Sequence, residues 1–99
     1  APSAVTDFQT VVGGGEVVEF TVSETAEIAR LTLNEANEQG LLPDEVLVVG
    51  VERDGDHVTP NGDTEVRPGD LVSVFSPETL PEPLVGAFDS EPRPSNEQR

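Results

Sequence analysis

His57 is the only histidine among 99 residues, and the chain has no cysteine. A catalytic base needs a positioned partner and a nucleophile within hydrogen-bond reach. No serine lies in a nucleophile-elbow pattern, so His57 reads as a solvated hairpin residue or a ligand contact rather than a catalytic one. Asp54, Asp56, Asn61, Asp63 and Asp70 carry the oxygens that a hard cation needs. The calcium-loop spacing that runs to a Glu at the twelfth position is absent, however. Asp and Asn beside Gly are also what turns require, so these residues read as turns and no metal site is expected. Gly13-Gly14-Gly15 is followed by neither a lysine nor a helix start, so it reads as a linker rather than a phosphate cradle. Arg53 precedes the Asp54-Gly55 turn and is expected to pair with Glu52 or Asp54, or across to a second copy, for about 0–1 kcal/mol.

The elements that would position these residues centre on Val46–Phe75. Two apolar runs, Val46–Val51 and Leu71–Phe75, flank the turn signals Asp54-Gly55, Asn61-Gly62 and Pro68-Gly69-Asp70. β-Branched and aromatic residues favour extended backbone, and Asp-Gly and Asn-Gly suit tight hairpins. The expected fold is α+β, a small antiparallel β-meander with two short helices. Simple alternation sets Val46 and Val48 on one face of the first run, and Leu47, Val49 and Val51 on the other. Strands apolar on both faces need two covers, the chain's own helices and a second copy. On this reading Val49→Asp would unfold the domain.

Residues 1–15 read as a flexible linker with a helical or extended piece around Val5–Val12, and residues 16–88 as the domain. Glu16–Val22 alternates as a half-buried strand with Val18, Phe20 and Val22 inward. Thr32-Leu33-Asn34-Glu35 is a capping box that predicts a helix over Leu33–Gln39, closed by Gly40 and barred by Pro43. His57–Thr59 is a short return strand, and Thr64–Val66 an extended segment. Ser76-Pro77-Glu78 predicts a second helix start, with Leu84, Val85, Ala87 and Phe88 as core contacts. Asp89–Arg99 reads as a disordered tail.

Twenty acidic residues against five basic ones, all Arg, give a net charge of −15. This excludes nucleic acid and anionic lipid as direct partners, since both need basic patches. Without lysine, the carboxylate coat reads as that of a halophile, whose cell salt screens self-repulsion. No apolar run is long enough to span a bilayer. Ala1 in place of Met reads as a piece cut from a longer protein.

The order of Val17–Val22, Leu31-Thr32-Leu33, Val46–Gly55, Thr59-Pro60-Asn61-Gly62-Asp63-Thr64 and Pro68-Gly69-Asp70-Leu71 resembles the TrkA-C domain, the RCK C-terminal domain of potassium-transport proteins. The chain departs from it at Ala29, where members often carry Gly, and at Pro81 and Pro83, which interrupt the final helix. The resemblance implies a cytoplasmic, non-catalytic, ligand-sensing homodimer that serves a cation transporter or channel subunit or an attached Rossmann domain. Some members bind cyclic di-adenosine monophosphate at the dimer interface, and the nearest candidates here are Val46, Leu47, His57 and Pro60, with no further cofactor. A β-grasp, ubiquitin-like sulfur carrier shares the Asn-Gly hairpin and Pro-Gly-Asp turn. It would need a C-terminal Gly-Gly where this chain has Gln98-Arg99.

Overall fold

The computed structural model describes residues 15–94, so the expected linker over residues 1–15 lies almost wholly outside the described residues. The elements are β1 (Glu16–Thr21), α1 (Leu33–Glu38), β2 (Leu47–Arg53), β3 (Asp56–Val58), β4 (Leu71–Ser76), α2 (Pro83–Phe88) and β5 (Arg93–Pro94). The five strands form one antiparallel sheet in the order β3-β2-β4-β1-β5. Only β2 and β3 are a hairpin of sequence neighbours; β4 enters between β2 and β1.

The inner rows of the sheet follow from the register. Val18, Val74 and Val48 lie side by side, and so do Phe20, Val72, Val51 and Val58. They join Ile28, Val66, Ala36, Leu84 and Phe88 in one core. Phe20 and Phe88 stack with centroids 4.5 Å apart, which ties α2 to the sheet. Val85 is only half-buried against this core.

Simple alternation fails in β2. The pairing shifts between Val48 and Gly50, a bulge that leaves Val49 without an opposite residue. The extra residue reverses the phase, so Val51 faces inward with Val48 and is buried, whereas Leu47 and Val49 are 57% and 48% exposed. Val49 is therefore not a core residue of the single chain, and the expectation that Val49→Asp unfolds it is overturned.

Local chemistry explains the first helix. Thr32 Oγ1 accepts from Glu35 N at 3.1 Å, and Glu35 Oε1 accepts from Thr32 N at 2.9 Å, the capping box read from sequence. The helix ends one residue earlier than predicted, and Gly40 takes the left-handed conformation at φ 80°. The segment 64–66 lies along 30–33, with Arg30 N donating to Val66 O at 2.6 Å and Leu33 N to Thr64 O at 3.0 Å. In the Asp54-Gly55 turn both residues have positive φ, 54° and 84°, as a tight hairpin needs. Gly62 is not a positive-φ residue; Asn61 instead accepts from Asp63 N through its side chain at 2.8 Å.

Two other expectations change. Ser76 does not cap a helix; it is the buried last residue of β4, and its hydroxyl donates to Glu78 O at 3.0 Å. A helix begun there would carry Pro81 in its interior, without an N–H and against the preceding carbonyls. Helix formation waits until Pro83, which suits a first position. The tail expected from Asp89 is also partly in the sheet, since Arg93 and Pro94 pair with Glu19 and Val18 as β5; residues 95–99 lie outside the described residues.

Arg30 stands at φ 74°, a left-handed conformation that costs an L-residue roughly 1–2 kcal/mol. Its guanidinium lies 3.8 Å from Glu24 in an exposed pair of little value. Arg30→Gly is expected to stabilise the domain by about 0.5–1 kcal/mol, after the greater chain entropy of Gly is discounted. Thermal melting at constant salt tests this, and a lower midpoint would refute it.

Candidate functional site

The strongest polar constellation is one that the sequence did not reveal. Arg53, at the end of β2, forks onto Asp70, with Nε to Oδ1 at 2.9 Å and an Nη to Oδ2 at 2.8 Å. The same guanidinium donates to Glu65 O at 2.8 Å, and Arg67 N donates to Asp70 Oδ2 at 2.9 Å. Asp70 is 1% exposed and the Arg53 side chain 23%. Burial pushes the Asp70 carboxyl up, but the hydrogen bonds from Arg53 and Arg67 outweigh it and hold the group below its ordinary value. The bond to Asp70 raises the Arg53 guanidinium in turn. Arg53 had been expected to pair with Glu52 or Asp54; it reaches 17 residues along the chain instead, because β4 lies beside β2. Arg53, Asp54, Arg67, Pro68, Gly69 and Asp70 line a cleft of about 180 Å³. Its carboxylate and guanidinium are already satisfied by each other, so the pair ties the hairpin root to the start of β4.

A second polar group surrounds Asp89, which is left-handed at φ 53°. Thr25 Oγ1 and Ser23 Oγ donate to Asp89 Oδ2, and these bonds hold its carboxyl below the ordinary value. Ser90 Oγ donates to Thr21 O at 2.6 Å. Both groups fasten loops. Among the described residues no cluster of three or more His, Cys, Asp and Glu can hold a metal ion.

The four residues proposed from sequence are dispersed. Val46 is buried in the core, with its N–H on Pro43 O at 3.0 Å. Leu47 faces the opposite way, beside Phe75 on the outer face. His57 is exposed on β3, opposite Glu52 at the far end of β2, and Pro60 is half-buried in the loop beyond. Glu52 is five steps along the strand from Leu47, or about 16 Å. One chain alone does not gather Leu47 and His57 into one pocket.

The outer face is the larger feature. Val17, Phe75 and Leu47 lie in one row, and the bulged Val49 stands next to it. Ala36 of α1 and Leu84 and Phe88 of α2 belong to the inner core, while Leu47 and Val49 remain open. Phe75 itself is buried at 6% exposure, so the open apolar part of this face is formed by Leu47 and Val49.

The sequence profile of the TrkA-C domain matches residues 17–79, and the chain belongs to that family. A solved structure described as "Structure of RCK domain with cda" superposes with a TM-score of 0.55 and 19% identity, covering 77% of this chain and 99% of that one. The RCK_C domain dimer of S. agalactiae BusR in complex with c-di-AMP superposes at 0.56 with 20% identity, covering 75% and 96%. No curated protein matches the chain. The family match does not favour the sulfur-carrier alternative. No helix among the described residues is long and apolar enough to cross a membrane.

Proposed function

We propose that this chain is a regulatory, ligand-sensing domain without catalytic activity, which pairs with a second copy through its outer sheet face and relays a signal to a potassium or other cation transport system in the cytoplasm. The observation that carries the pairing is the open face with Leu47 and Val49 at 57% and 48% exposure. The BusR neighbour, which is a dimer with c-di-AMP, supports both the pairing and the ligand class. Pairing would bring Leu47 of one copy toward groups of the other, and Val46, Leu47, His57 and Pro60 are the proposed ligand contacts. The test is oligomeric mass in about 2 M KCl, where the screening length is only a few ångströms, with and without cyclic di-adenosine monophosphate. A dimer that melts later with the dinucleotide supports the reading, and a monomer indifferent to it overturns it.

The charge of −15 gives this binding an unusual sign. A dianionic ligand is repelled by the whole chain, and Asp44 and Glu45 stand immediately before the strand that offers Leu47. Affinity is therefore expected to rise several-fold between about 0.1 and 2 M KCl, as screening shortens from roughly 10 Å to about 3 Å or less. Titration calorimetry across that range tests this. A fall in affinity with salt would mean that a basic pocket governs binding.

A further inference from the structure

The two ends of the sheet differ. At one end β3 is three residues long and carries Asp56 and His57, which leaves a short, polar edge. At the other end β1 is six residues long and pairs with β4 along its whole length, whereas β5 meets it only at Val18 and Glu19 among the described residues. Thr21 O accepts from Ser90 Oγ at 2.6 Å on the β5 side, while Val22 N donates to Asp70 O at 2.9 Å on the β4 side. Backbone groups alternate between the two sides along an antiparallel strand, so Val17 and Glu19 aim their N–H and C=O at the β5 side. This is a ladder edge, and β5 fills little of it.

β5 is also held lightly. Arg93 and Pro94 are both exposed, and their one ion pair among the described residues is Arg93 to Glu19 at 3.6 Å. Pro94 has no N–H with which to extend the sheet further. Just before β5 the chain is fastened separately, Asp89 by Ser23 and Thr25 and Ser90 by Thr21, so β5 can leave without loosening α2.

We propose that the β1 edge is a docking site for an extended, basic segment of a partner protein, and that β5 occupies it while the partner is away. An added strand is held by main-chain hydrogen bonds, and the side chain opposite Glu19 sets the preference. Arg93 shows which side-chain type suits that position. A chain of net charge −15 also draws a basic segment in. A second copy is the poorer occupant, because β1 against β1 would crowd Glu16 and Glu19 of both copies along one short ladder. The site is a strand edge, separate from the sheet face proposed for pairing.

Two synthetic heptapeptides of equal charge test this on the full chain. One reads Thr-Val-Thr-Arg-Thr-Val-Thr; the other has Pro in place of both Val, which removes N–H groups that would face β1. Hydrogen exchange is expected to show the Val17 and Glu19 amides slowed by the first peptide and not by the second. Arg93→Glu sets β5 against Glu19 and is expected to bind the first peptide about ten times more tightly in titration calorimetry, since the competing state is removed. Equal binding of both peptides would reduce the effect to plain charge attraction and overturn the proposal. So would an unchanged affinity in Arg93→Glu, or slowing of the same amides with protein concentration alone, which would make the second copy the occupant.

Discussion

Asp70→Ala is expected to remove about 3–5 kcal/mol of stability, the cost of breaking a buried ion pair from one side. The variant strips two hydrogen bonds from Arg53 and one from the Arg67 amide. The guanidinium left behind keeps only the Glu65 carbonyl and cannot shed its charge. A domain of this size has roughly 5–15 kcal/mol in total, so the variant is expected to melt far earlier or to populate unfolded chains at room temperature. Urea unfolding at constant KCl measures it, and a loss below about 1 kcal/mol would show a pair worth no more than a surface one.

The same carboxylate sets an acid limit. Its folded value lies below its ordinary 3.8, so the folded state binds fewer protons than the unfolded one in that range. The stabilisation is fully present above the ordinary value and is lost as pH falls through the folded one. Asp70→Ala is therefore expected to flatten the acid limb of the stability curve as well as lower its plateau.

Val49→Asp is expected to do the reverse: leave the single chain nearly untouched and abolish its pairing. At 48% exposure on a bulge, the carboxylate stays in water in the monomer, and the stability change is expected to stay within about 0.5 kcal/mol. In a twofold interface each copy brings one such charge into the contact. Burying unpaired carboxylates costs at least several kcal/mol, so dimerisation is expected to weaken by more than about a hundredfold. Sedimentation and thermal melting of one sample separate the two effects. Unfolding would restore Val49 to the core, and an unchanged dimer would move the second copy to another face.

The two variants also mark where sequence reading succeeded and where it stopped. The capping box at Thr32 and Glu35, the Asp54-Gly55 turn and the inward Val18, Phe20 and Val22 were legible because each depends on groups a few residues apart, whose hydrogen bonds or side-chain phase follow from local backbone geometry. The ordered motifs from Val17 to Leu71 were enough to indicate the family. Of the candidate site, Leu47 was legible as an apolar residue needing a cover, but its distance from His57 was not, since strand length along the fold sets it.

The sequence by itself determined the α+β class, the aliphatic core and the acidic surface, because composition and short-range periodicity act before any long-range contact forms. Tertiary structure alone decided that β4 lies between β1 and β2, and therefore that Arg53 meets Asp70. It also decided that β2 bulges at Val49, turning Val51 inward and leaving Val49 on the surface. The physical reason is that strand order and register are chosen by the core as a whole. One extra residue in a ladder reverses every face beyond it, and nothing in the run Val46–Val51, apolar at all positions but Gly50, distinguishes one phase from the other.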